Sequence, residues 1–237
     1  MKTAIFTIPL IAMALVLSYL SLLWRPWSLL FLWPAVVLVI VSAAYGFRWH
    51  GVFGKRLDGR LPLLRVLLLL PYLAPAWLTW RIRKWVWQEK AWTKIDEDLY
   101  LGRRLSNREM PDKVDLVVDL TAEFRERPNV RVERQYLCLP TLDGTAPETE
   151  AFIDLVKEVS DFAGRAYVHC AVGYGRSATV VAGVMLRRGL VQTPGQAVHR
   201  LQTLRPGVAI GRGQYRLLER TVDRLRNGRG DGPGQSM

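Results

Sequence analysis

A thiol and a guanidinium stand six positions apart in Val168-His169-Cys170-Ala171-Val172-Gly173-Tyr174-Gly175-Arg176-Ser177. Ala166 to Cys170 reads as a short buried strand. Ser177 to Arg188 reads as a helix that Gly189 closes. Cys170 therefore lies where a strand ends, and Arg176 where a helix begins. A loop entering a helix aims its backbone N–H groups at an anion. Gly173 and Gly175 let such a loop curl. The planar fork of Arg176 matches two oxygens of a phosphate. The same positive field favours a thiolate at Cys170, poised beneath the phosphorus it attacks. Ser177 is placed to donate a hydrogen bond to that sulfur, and His169 to order the loop.

Cys-x5-Arg followed by Ser and preceded by His resembles the protein-tyrosine phosphatase superfamily, and the short domain resembles its dual-specificity branch. Leu99-Tyr100-Leu101-Gly102-Arg103-Arg104-Leu105-Ser106 is similar to that branch's opening strand and turn. Leu139-Pro140-Thr141-Leu142-Asp143 is similar to its acid loop, and Arg205-Pro206 with Gln214 to its tail. The resemblance covers roughly residues 94–226. It implies a phosphate-binding loop of Ala171, Val172, Gly173, Tyr174, Gly175 and Arg176, and a cysteinyl-phosphate intermediate. It also implies a general acid on an upstream loop and no metal or other cofactor. Asp143, after a strand and beside Gly144, is the first choice for that acid. Glu148 and Asp154 are the alternatives. A bare Cys-x5-Arg match is a weak signal. The strand–loop–helix context and the upstream Asp loop make it specific.

The elements that must position these residues alternate. Leu99–Leu101, Val114–Leu120 and Gln135–Leu139 are strand candidates ahead of Ala166–Cys170. Phe152, Leu155, Val156, Val159 and Phe162 repeat with helical period. Thr193-Pro194 opens a further helix as N-cap and first position. A last amphipathic helix covers about Gln214 to Leu225, and the Gly-rich residues 227–237 read as a disordered tail. The expected fold is α/β, a mainly parallel sheet flanked by helices and preceded by N-terminal transmembrane helices.

Residues 1–93 form the expected membrane region. Thr3–Leu23 and Trp27–Phe47 are each long and apolar enough to span a bilayer. Between them Trp24-Arg25-Pro26-Trp27 reads as a tight interfacial turn. No small-residue cleavage site follows the first stretch, which argues against a signal peptide. The third stretch, Leu61–Trp80, is interrupted by Arg65, Pro71 and Pro75. It reads as interfacial or re-entrant, with a third full span as the alternative. Arg48, Lys55, Arg56 and Arg60 precede it, and Arg81, Arg83 and Lys84 follow it. Both clusters lie in the cytoplasm only if that stretch does not cross, which puts the catalytic domain on the cytoplasmic face.

The net charge of +12 is shared by both parts. Residues 1–80 hold seven Lys/Arg against one Asp, and the rest 26 Lys/Arg against 20 Asp/Glu. A basic body beside a membrane fits anionic headgroups or phosphorylated partners. No nucleic-acid reader motif is present. Two cysteines exclude a disulfide framework and a zinc site. Cys138 reads as a core residue, or as a redox partner shielding Cys170. His199 reads as a surface or core residue of a helix, and pairing with Cys170 as in a thiol hydrolase would leave Arg176 and the loop glycines unexplained; Arg212 and Arg216 read as a solvated face or as substrate contacts. The expected substrate is a phosphorylated lipid such as phosphatidylglycerophosphate, or a phosphoprotein. A phosphate-binding module without turnover is the third reading. The oligomeric state has no signal in the sequence.

Overall fold

The computed structural model describes residues 3–24, 28–86, 90–131 and 134–227. Arg25, Pro26 and Trp27 of the expected turn, and residues 228–237 of the expected tail, lie outside the described residues.

Two long helices open the chain, α1 (Thr3–Leu23) and α2 (Ser28–Phe47). They are packed as a hairpin, with the Ser42 hydroxyl donating to the Thr7 carbonyl. Among the described residues, these are the two helices long and apolar enough to cross a membrane. Ile8, Leu15, Leu22, Leu30 and Val39 remain exposed on them, as lipid-facing positions would.

The third apolar stretch forms α3 (Leu63–Leu68) and α4 (Leu70–Val86), broken at Leu69. The Trp33 indole donates to the Leu68 carbonyl at 3.0 Å and holds the break against α2. Arg65 of α3 donates to the Val52 carbonyl, just past the end of α2. Trp80, near the end of α4, donates to the Ala171 carbonyl in the α/β domain at 2.7 Å. The two limbs of the stretch thus pack back on the chain, one against the loop after α2 and the other against Ala171.

The sheet runs β1-β2-β5-β3-β4, with β1 (Trp92–Lys94), β2 (Leu99–Arg103), β3 (Leu116–Thr121), β4 (Gln135–Thr141) and β5 (Ala166–Cys170). Among the described strands, the β1–β2 pair is antiparallel and the other three pairs are parallel. A short helix, α5 (Pro128–Arg131), precedes β4. The remaining helices are α6 (Thr149–Asp161), α7 (Arg176–Arg188), α8 (Pro194–Leu204) and α9 (Arg212–Asn227). Thr193 and Gln196 form a reciprocal capping box at the start of α8.

Strands β3 and β5 are buried along their whole length, because parallel strands are covered on both faces. On one face Leu101, Val118, Val168 and Leu120 pack with Phe152, Val156, Val181 and Leu218 of the helices. On the other, Tyr100, Val117 and Tyr167 pack with Leu105 and Val130. A third cluster joins Val37, Val41, Tyr45 and Leu73 of the N-terminal region to Ala122 and Leu142 of the α/β domain. The boundary between the two regions is therefore a continuous core, and β1 draws residues 92–94 into the sheet.

Candidate active site

Strand β5 ends at Cys170 in the middle of the sheet, and α7 starts six residues later. The loop between them is held from outside by its carbonyls. Trp80 and the Arg104 amide donate to the Ala171 carbonyl. Arg205 donates to the carbonyls of Val172 and Gly173. The Ala209 amide donates to the Tyr174 carbonyl, and the Thr179 amide and hydroxyl donate to that of Gly175. With these carbonyls held from outside, the Gly173 amide turns in to the Cys170 sulfur, the sense of curl that an anion requires. Gly173 sits at φ +86° with its α-carbon pressed on the Gly102 backbone, where a Cβ would clash at 2.5 Å.

Cys170 is buried, and its sulfur accepts from the Gly173 amide at 3.2 Å and the Ser177 hydroxyl at 3.3 Å. Two donors on one sulfur orient it and would steady it as a leaving group. Arg176 is 1 % exposed. Its Nη1 donates to Glu123 Oε2 and the Thr141 carbonyl, and its Nη2 to Glu123 Oε1, all within 2.9 Å. Asp143 Oδ1 approaches Nη2 at 3.3 Å. Burial opposes the charge on Arg176, but Glu123 and Asp143 more than offset it, and its pKa is raised. The Nε–H, also buried, has no hydrogen-bond partner among the described residues. A buried donor left without a partner is costly, and an anion in the loop would satisfy it.

Asp143 is 62 % exposed at the rim, on the turn where Gly144 adopts φ +70°. Asp143, Gly144, Cys170, Val172, Tyr174, Gly175 and Gln214 line one cavity of about 310 Å³ with Phe6 and Arg83. The two alternative acids lie elsewhere. Glu148 caps α6 by accepting the amides of Glu150 and Ala151, which lower its pKa. Asp154 is exposed on α6. His199, Arg212 and Arg216 are also outside this cavity's lining.

His169 does not reach the loop. Its Nε2 faces Glu126 at 3.3 Å, and its ring stacks on Tyr167. Alternation along β5 sends His169 and Cys170 to opposite faces. Register also places Cys138 in line with Asp119 and His169, two strands from Cys170 and on the opposite face. A redox pairing between the two cysteines is therefore ruled out by geometry. Cys138 is half-buried rather than a core residue, and burial pushes its thiol up to about 12. Tyr174 is wedged against Gly207 under the Arg205 guanidinium, so only part of its ring reaches the pocket.

Several residues at the site carried no sequence signal. Glu123 lies 47 positions before Cys170 and is brought to Arg176 by the end of β3. Trp77 fixes the Glu123 carbonyl at 2.8 Å, and Trp80 packs on Phe124. Arg83 follows one turn later on α4. A Trp-Trp-Arg series at spacing three on a basic-ended apolar helix was the available clue.

No protein-family model matches the chain. Over 111 residues it is 32% identical to the tyrosine-protein phosphatase cdc-14 of Caenorhabditis elegans. That alignment covers 46% of this chain and 15% of the relative, so the chain spans a small part of the length of this curated relative. Among solved structures, PTPMT1 in complex with PI(5)P matches with a TM-score of 0.50 and 20% identity, over 58% of this chain and 98% of that one. Tk-PTP in its active form gives 0.50 at 23% identity, over 56% and 97%. DUSP15 gives 0.51 at 19% identity, over 62% and 100%. The sheet and the helices that flank it have the protein-tyrosine-phosphatase-like α/β fold of these structures. Within that fold, the Cys170 loop occupies the C-terminal end of the central strand, where ligands of open parallel sheets bind.

Proposed function

We propose that the chain is a membrane-anchored cysteine phosphatase that hydrolyses phosphomonoesters through a cysteinyl phosphate. The observation that carries this reading is the loop itself, with its carbonyls held from outside, two donors on Cys170 and a buried, unsatisfied Arg176 Nε–H. In the first step the Cys170 sulfur attacks phosphorus and the ester P–O bond breaks. Asp143 delivers its proton to the departing oxygen. In the second step water attacks phosphorus, Asp143 takes a proton from it, and the S–P bond breaks to release phosphate. Ser177 steadies the sulfur as it leaves. Arg176 and the loop amides hold the three non-bridging oxygens. Glu123 aligns Arg176, and His169 acts at a distance by bracing the Glu126 segment.

The anchor is α1 and α2, with the catalytic domain on the cytoplasmic face. Both basic clusters fall on the domain side of the hairpin, which supports that orientation. A phosphorylated lipid suits an enzyme joined to its anchor in this way. The second reading is a phosphoprotein substrate, favoured by the identity to a tyrosine-protein phosphatase.

The test is p-nitrophenyl phosphate hydrolysis by the full chain in detergent, with acid-quench trapping of phosphocysteine. Turnover and a trapped intermediate are expected from the native chain, and neither from Cys170→Ser. Equal turnover by Cys170→Ser would overturn the reading.

A further inference from the structure

A second cavity of about 590 Å³ opens next to the catalytic one. Its walls are apolar side chains of three N-terminal helices, among them Leu10 and Met13 of α1, Leu38 of α2, and Pro75 and Ala76 of α4. It adjoins the pocket at Cys170, because Phe6, Arg83, Asp143 and Val172 line both. Its volume falls within the roughly 300–1,000 Å³ of small-molecule sites. The helices that form it expose apolar surface on their outer sides, Ile11 and Leu15 on α1 and Val36 and Ile40 on α2. A cavity between such helices fills from the bilayer rather than from water.

We infer that this cleft holds the acyl portion of the substrate, and that Arg83 binds a second anionic group between the acyl chains and the ester being cleaved. The inference rests on the phosphatase reading of the Cys170 loop and names its substrate class: a phospholipid whose headgroup carries a terminal phosphomonoester beyond its phosphodiester. The order of groups along such a lipid matches the order of the sites. The monoester reaches Cys170. The phosphodiester lies at the junction, where Arg83 lines both cavities. The diacylglycerol lies among α1, α2 and α4. Arg83 is the cationic side chain that lines both cavities. A phosphopeptide would present a polar backbone to this apolar wall, which disfavours it.

The experiment has a binding arm and a turnover arm, both with the full chain. In the binding arm, Cys170→Ser protein in mixed micelles is titrated with phosphatidylglycerophosphate brominated on its acyl chains. Brominated phosphatidylcholine at the same mole fraction is the blank. Trp80 lines the cleft, so a saturable excess of tryptophan quenching is expected. Ala76→Phe should abolish it by filling the cleft. Met13→Phe, at a position 54 % exposed and therefore tolerant of change, should abolish it too. In the turnover arm, kcat/KM for the lipid is divided by that for p-nitrophenyl phosphate. The ratio should fall about tenfold or more in either cleft variant. In Arg83→Gln, the preference for phosphatidylglycerophosphate over phosphatidic acid, which lacks the second phosphate, should fall about tenfold, since a charge-assisted hydrogen bond is lost. No excess quenching from a chain that does hydrolyse p-nitrophenyl phosphate would sink the lipid site and leave the phosphatase standing. Saturable quenching without hydrolysis of any ester would do the reverse. A phosphotyrosine peptide cleaved faster than the lipid, with Ala76→Phe and Arg83→Gln leaving the peptide-to-lipid ratio unchanged, would overturn the inference.

Discussion

Arg176 and Glu123 form the most constrained contact in the catalytic centre. The guanidinium is 1 % exposed and meets Glu123 through two parallel hydrogen bonds. Glu123→Gln keeps the shape but removes the charge that aligns the fork. Loss of a charged hydrogen bond of about 1.5–3 kcal/mol predicts a fall in kcat/KM of roughly ten- to a hundredfold, read by steady-state kinetics on p-nitrophenyl phosphate. At the rim, Asp143→Asn tests proton delivery. An alkyl phosphate, whose leaving alcohol needs the proton, should slow by roughly a hundredfold or more. p-Nitrophenyl phosphate, with its stable leaving anion, should slow much less. Equal slowing of both would remove Asp143 from the acid role and leave it as a partner of Arg176 alone.

At the scale of elements, α4 is tied to the catalytic domain by Trp77, Trp80 and Lys84. Lys84 meets Glu109, which also accepts from Arg103 and from the Ser106 amide and hydroxyl. Partial burial raises the Glu109 pKa, but these bonds outweigh it and bring the carboxyl down to about 2. A depressed carboxyl stabilises the fold fully above its ordinary value of 4.5 and loses that contribution as pH falls towards 2. Thermal melts in detergent should show an acid limb in this window that Glu109→Gln flattens. The strand–loop–helix around Cys170, the capped α8 and the two long apolar helices were legible in the sequence, because each is written in local periodicity or capping chemistry. Strand β1 was not, since Trp92–Lys94 is too short to show a period and gains its place only by pairing with β2. Glu123 and Arg83 were equally silent. Each is an ordinary charged residue until tertiary packing carries it to Arg176 or to the pocket wall. His169 was misjudged for a related reason: its neighbour is the nucleophile, but strand alternation turns its ring away.

At the scale of the whole molecule, Lys55 joins the two regions. It leaves the loop after α2 and enters the back of the sheet, where it pairs with Asp119 and bonds to Thr121. Both side chains are almost completely buried. Burial disfavours ionised Asp119, but Lys55 and His169 reverse that and hold its pKa well below the usual range. Lys55→Met leaves Asp119 buried without its cation, a loss of about 3–5 kcal/mol. The apparent Tm of the full chain should drop by of order 10 °C, and a drop of only a few degrees would mean water replaces the lysine. Lys55, Trp77 and Trp80 together deny the catalytic domain a swinging tether. Under the proposed anchoring by α1 and α2, the nucleophile stands at one fixed height above the lipid plane, and only esters displayed at that height come within reach. Such an enzyme counts its substrate per unit of surface rather than per unit of volume. Diluting the target lipid with inert lipid in the same vesicles should slow it, whereas adding more vesicles of unchanged composition, once all the protein is embedded, should not.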